Sequence, residues 1–137
     1  MDVQEGTISV DGYQVWYRWV GRGGVPLLLL HGGPGAGHDY LEPLEALAAD
    51  RQIVFYDQLG CGRSDQPDDR SLWRLERFVA EIDTVRRALN LEQTHLLGQS
   101  WGGSPSSICL RIPPGWSVWC WPAPRPAFRS LWPKPRA

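Results

Sequence analysis

The chain has 137 residues, a formal net charge of −1, 42% hydrophobic and 21% charged residues. That is the size and composition of one ordinary globular domain. The near-neutral charge leaves no electrostatic footprint for a nucleic-acid or membrane partner, and the longest apolar run, residues 25–30, is too short for a signal peptide or a membrane span. Cys61, Cys109 and Cys120 form neither a closed disulfide set nor a metal-site spacing, so a reducing cytoplasm is the expected compartment.

The averages conceal a break at residue 104. Residues 1–103 hold all 15 acidic residues and nine of the 14 basic ones, a balance of −6. Residues 104–137 hold no Asp, Glu or His, but carry eight of the 12 prolines and four of the eight tryptophans. Two regions are therefore expected: a folded part over 1–103, and a Pro/Trp/Arg-rich tail over 104–137 that is disordered.

In chain order, "TISVDGYQVWYRWVG" has two alternating runs around Asp11-Gly12, the strongest short hairpin signal. "VPLLLL" (25–30) is continuously apolar, as a strand covered on both faces must be. Asp39 is placed to cap a helix over 39–49 with Leu41, Leu44, Leu47 and Ala48 on one face. "RQIVFYD" (51–57) predicts a second buried strand over 52–57. Ser71 is placed to cap a longer helix over 71–89, with Leu75, Phe78, Val79, Ile82, Val85 and Leu89 inward. "THLLG" (94–98) predicts a third strand. Strands alternating with helices give an α/β fold, a sheet sandwiched by helices. Ligands of such sheets sit beyond the carboxyl ends of the strands.

Three motifs fall at those ends. "HGGPGAG" (31–37) is a turn whose backbone N–H groups are unobstructed by side chains; it fits neither a dinucleotide fingerprint nor a phosphate loop. "DQLGCGRSD" (57–65) predicts a loop braced by side-chain hydrogen bonds and an Arg-carboxylate pair, with Cys61 as a small filler and no chemical role for Asp57 or Asp65. Gly98-Gln99-Ser100-Trp101-Gly102 is a G-x-S-x-G after a strand, the signature of a nucleophile elbow. Small residues two before and two after Ser100 suit the crowding of that turn.

HGGPG, DQLGCGRSD and GQSWGG, in this order and at these intervals, resemble the proline iminopeptidase branch of the α/β-hydrolases over about residues 5–103. The resemblance implies an α/β-hydrolase fold truncated after the nucleophile elbow. It implies Ser100 as nucleophile, the Gly33 and Trp101 N–H groups as oxyanion hole, and Gly98, Gln99 and Gly102 as the elbow, with His31 structural. It further implies a cofactor-free, metal-free cytoplasmic serine aminopeptidase. The substrate would be a small peptide with a free N-terminus, from which an N-terminal residue, preferably proline, leaves through an acyl-enzyme. An amino-acid amidase or esterase shares these motifs, and a non-catalytic fragment is the reading from another class.

A serine needs a base, and this fold supplies an acid and then a His after the serine. Residues 101–137 contain neither, so the chain as written is expected to be inactive. His95 lies five residues before Ser100 on one strand, ~16 Å away, and His38 is expected at the surface of a helix entry. The tail offers a reason. Trp119-Cys120-Trp121-Pro122 must be encoded TGG-TGY-TGG-CCN, which one nucleotide earlier gives Leu, Val or Met, then Val-Leu-Ala. Trp116-Ser117 permits Leu-Val in that frame. The recovered "LVxLVLA" suits a buried strand, so residues from about 104 onward are expected to be an out-of-frame reading of a longer hydrolase gene. The alternatives are a Pro-rich binding segment or a genuine extension. With that strand garbled, Thr94–Gly98 would be an exposed apolar edge and the chain insoluble or molten.

Overall fold

The computed structural model describes residues 2–32, 36–99 and 117–121. A hairpin of β1 (Val3–Val10) and β2 (Tyr13–Val20) opens the chain, with Asp11 at φ 52° and Gly12 at φ 82°. Two left-handed residues make the turn whose twist matches paired strands, as Asp11-Gly12 predicts. β3 (Leu27–Leu30), β4 (Ile53–Tyr56), β5 (His95–Gln99) and β6 (Ser117–Trp121) complete a sheet in the order β1-β2-β4-β3-β5-β6. β2 is antiparallel to β1 and β4, while β3, β4, β5 and β6 run parallel.

The apolar runs in β3 and β4 serve two cores at once. Leu28, Leu30, Val54 and Tyr56 face Ile82, Val85 and Leu89 on one side of the sheet. Leu27, Leu29, Ile53 and Phe55 face Trp16, Leu41 and Ala48 on the other. Full burial of one such side chain contributes about 1.5–3 kcal/mol, which is why both runs lack polar residues.

The helices depart from expectation in their type, their caps and their extent. Asp39–Ala49 is a 3₁₀ helix whose first cap is His38, with no side-chain capping bond. Pro43 inside it removes a donor that an α-helical ladder requires. Only Leu41 and Ala48 are buried, whereas Leu47 is 41% exposed, so the inward face is narrower than four residues. The single helix over 71–89 is split into a 3₁₀ turn, Arg70–Leu72, and α1, Leu75–Ala88. The capping group is Asp69, not Ser71: its carboxylate accepts the Ser71 N–H at 2.9 Å and the Ser71 hydroxyl at 2.6 Å. Trp73 then breaks the run (φ −84°, ψ 60°), and Arg74 enters α1 extended and without a side-chain cap. Phe78, Ile82, Val85 and Leu89 are buried as the periodicity predicts. Asn90, at φ 54°, ends the helix, a left-handed cap that Asn tolerates.

The tail departs as well. Ser117–Trp121 forms β6 and pairs in register along β5, from His95↔Ser117 to Gln99↔Trp121. The edge at Thr94–Gly98 is thereby covered, not exposed. The five residues lie between Pro114 and Pro122, so no proline interrupts the ladder, and backbone pairing itself is indifferent to side-chain identity. The rest of the tail lies outside the described residues.

Candidate active site

β3 sits between β4 and β5. From β3 the chain goes to one neighbour, and from β5 it goes on to β6 at the other side. Two adjacent parallel strands whose exits diverge leave a crevice at their carboxyl ends. Leu30 registers with Gly98, so His31-Gly32 and Gln99 emerge side by side there. Gly98 is buried and, with Gln99, closes β5. Gly33, Ser100, Trp101 and Gly102 lie outside the described residues. His95 starts β5 beside Leu27, at the opposite end from Gly98.

The exit from β3 is held by a fully buried His31. A carbonyl can only accept, so the ring's Nδ1 donates to the Gly32 carbonyl at 2.7 Å. Its Nε2 must then accept the Gln58 N–H at 2.9 Å. The Gln58 side chain returns a bond from Nε2 to the His31 carbonyl at 2.8 Å. Burial, the largest influence, holds the His31 pKa below its ordinary value, consistent with a neutral ring. The Gly32 N–H donates to the Tyr40 hydroxyl.

The loop 57–65 is braced by side chains, as expected, but its centre is a pair the sequence did not single out. Asp57, fully buried, accepts the His38 N–H and Nδ1, each at 2.8 Å, and the Arg63 N–H at 2.9 Å. Ser64 accepts the Trp16 N–H at 2.8 Å and donates to the Asp57 carbonyl. Asp65 accepts the Gln14 N–H at 2.8 Å. Cys61 is buried, in no disulfide. Arg63 lies over the Trp16 ring at 4.8 Å and reaches Glu5 only at 3.9 Å. His38 is a core residue, not a surface one: its ring stacks on Trp16 at 4.5 Å and meets Phe55 edge-on at 5.9 Å. A carboxylate partner and two aromatic neighbours compensate its burial.

Beneath the same loop, Glu81 accepts the Arg77 guanidinium at 2.8 Å and the Leu59 N–H at 3.1 Å. Burial pushes the Glu81 pKa up while Arg77 opposes the shift. The i,i+4 spacing of Arg77 and Glu81 was the available signal for this pair; their burial, against an apolar helix face, was not legible. Among the described residues no group of three or more His, Cys, Asp or Glu could hold a metal ion, and no helix is long and apolar enough to cross a membrane.

A family model described as alpha/beta hydrolase fold matches residues 25–113, the stretch that carries β3, both loops and β5. The chain belongs to the α/β-hydrolase fold family. Within that family it is similar to the proline iminopeptidase of Heyndrickxia coagulans, at 49% identity over 114 residues covering 81% of this chain and 40% of the relative. The proline iminopeptidase of Lactiplantibacillus plantarum is 55% identical over 98 residues, covering 68% and 34%. Among solved hydrolase structures, the proline iminopeptidase of Mycobacterium smegmatis superposes with a TM-score of 0.78 at 36% identity, covering 84% of this chain and 42% of that one. The chain thus spans about a third to two fifths of the length of these relatives.

Proposed function

We propose that this chain is the N-terminal part of a serine hydrolase of the proline iminopeptidase type. The observation that carries the reading is the register of Leu30 with Gly98 in a chain about half identical to proline iminopeptidases. That register sets the start of HGGPG beside the start of the G-x-S-x-G turn. Ser100 attacks the carbonyl of the substrate's N-terminal residue, and the N–H groups of Gly33 and Trp101 receive the developing oxyanion. A donor of this kind contributes about 2.7–4 kcal/mol to the transition state. The leaving peptide departs, and water hydrolyses the acyl-enzyme, releasing the N-terminal residue, preferably proline. No step calls for a cofactor, and the working compartment is the cytoplasm.

The chain as written lacks the base for that cycle. Residues 101–137 hold no Asp, Glu or His. His38 has a carboxylate on Nδ1, as a triad histidine does, but its Nε2 faces Glu42 at 3.4 Å and its ring is buried against Trp16. We infer that residues from about 104 onward are read out of frame. The recovered "LVxLVLA" would occupy 116–122, the stretch in which β6 pairs with β5, and the relatives' greater length supports a longer gene product.

Turnover of proline p-nitroanilide against p-nitrophenyl acetate separates an aminopeptidase from an esterase. The 137-residue chain should hydrolyse neither, since losing a triad histidine costs ~10⁶ in kcat in a well-studied protease. Resequencing around codon 104 should find one nucleotide gained or lost. The corrected frame should encode an Asp and then a His after "LVxLVLA", and its product should cleave the proline arylamide. A stop codon within a few residues of the correction, or turnover by the present chain abolished in Ser100→Ala, would overturn the proposal.

A further inference from the structure

We propose that the cleft between the loop after β4 and the start of α1 is a second binding site. It takes a small, planar, uncharged group whose carbonyl oxygen accepts from the Arg77 guanidinium. Its lining residues are none of those that emerge at the ends of β3 and β5, so it stands whether or not the chain is a hydrolase.

The cleft holds about 180 Å³ of free space, open solvent included, room for about six waters. Leu59, Pro67, Leu72, Trp73 and Phe78 supply apolar walls, and Arg77 is the one charged residue that lines it. The Trp73 and Phe78 rings stand 5.9 Å apart, tilted by 49°. The loop presses close on this wall: a Cβ on Gly60 would come within 2.7 Å of the Trp73 ring.

A guanidinium carries five N–H donors and no acceptor. The Arg77 side chain is 7% exposed. Its Nε donates to the Leu72 carbonyl at 2.6 Å, and its Nη1 to Glu81 at 2.8 Å with Asp11 at 3.5 Å. Its Nη2 is buried and meets no partner among the described residues. A buried donor left in that state costs stability, and an acceptor brought to it recovers the loss. The group is planar, and one Nη2 proton leaves the same edge as the Nε proton, parallel to it. The Nε proton points at Leu72, so that Nη2 proton points at the wall of Leu72 and Trp73. Trp73 is the part of the wall able to give way, since it lies between the 3₁₀ turn and α1 and is 42% exposed.

Charge selects the class of ligand. Glu81 and Asp11 already face this guanidinium, so an anion would be a third negative group around one buried positive charge. A cation would meet the guanidinium itself. An uncharged carbonyl supplies the missing acceptor without either conflict, and a flat apolar body fills the space against Trp73 and Phe78.

The test is a titration of the full 137-residue chain with benzamide, followed in ¹H–¹⁵N spectra of the backbone amides, the Trp73 indole and the Arg77 guanidinium. Signals of Leu59, Gly60, Trp73 and Arg77 should shift together and saturate with a Kd of about 1 mM. Toluene, which lacks the acceptor, and benzoate, which carries a charge, should bind at least about tenfold more weakly. Arg77→Met with Glu81→Leu removes the donor together with its counter-charge, and should bind benzamide and toluene equally. Shifts that never saturate, as when the cleft holds water only, would overturn the proposal. So would shifts that arise elsewhere in the chain, shifts matched by toluene or benzoate, or a folded double variant that still prefers benzamide. If the double variant does not fold, the comparison of the three ligands on the unsubstituted chain decides alone.

Discussion

Asp57 accepts hydrogen bonds from both the backbone N–H and the Nδ1 of His38, each at 2.8 Å, across 19 residues of chain. With the Arg63 N–H at 2.9 Å, one buried carboxylate joins the loop after β3 to the loop after β4. Asp57→Asn keeps the shape but turns an N–H₂ toward donors, leaving buried groups unpaired. Unfolding free energy from urea titration should fall by about 2–4 kcal/mol. A loss below half a kcal/mol would mean that this junction contributes little.

Gly62 and Gly12 both lie at positive φ, at 48° and 82°, but only one of them is crowded. A Cβ on Gly62 would overlap the Asp57 carboxylate, whereas one on Gly12 meets nothing within 4 Å. Gly12→Ala should cost about 1 kcal/mol, the left-handed penalty alone. Gly62→Ala should cost at least about 2 kcal/mol more, because a fully buried carboxylate must move. Thermal melts of the two variants test the order, and equal losses would refute the steric reading.

Arg77 and Glu81 form a buried ion pair with side-chain exposures of 7% and 0%. Glu81→Leu alone should destabilise by about 3 kcal/mol, since it leaves a buried cation with only the more distant Asp11 carboxylate, at 3.5 Å. Arg77→Met with Glu81→Leu should recover most of that loss. Chemical denaturation of the single and double variants measures the coupling, and additive losses would contradict it.

His31 also sets a pH dependence. Burial lowers its folded pKa below the ordinary 6.5, so between those two values the unfolded chain binds the proton first. Stability is then complete above 6.5 and falls as pH drops through that value toward the folded one, by at most about 1.4 kcal/mol per pH unit. His31→Gln removes this titration. Unfolding free energies of the two chains between pH 7.5 and 5 should show a shallower slope for the variant, and parallel slopes would refute the assignment.

What the sequence determined is what depends on spacing along the chain. Asp11-Gly12 specified the hairpin because both turn positions need positive φ. The four leucines of β3 specified a strand buried on both faces. The place of "HG" and "GQ" directly after apolar runs put both motifs at strand ends, because parallel strands carry their loops there. What only the tertiary structure decided is which distant groups meet. His38 looked like a surface residue until Asp57, Trp16 and Phe55 closed around it. Nothing along the chain marks Arg77 and Glu81 as buried; the loop at Leu59 covers them. Tyr40 has no local signal, since its acceptor role exists only once the 3₁₀ helix folds back over Gly32. The edge of β5 was expected bare because the tail's side chains are wrong for a buried strand. β6 forms along it nonetheless, since a parallel ladder is made of backbone groups, which five proline-free residues of any reading frame can supply.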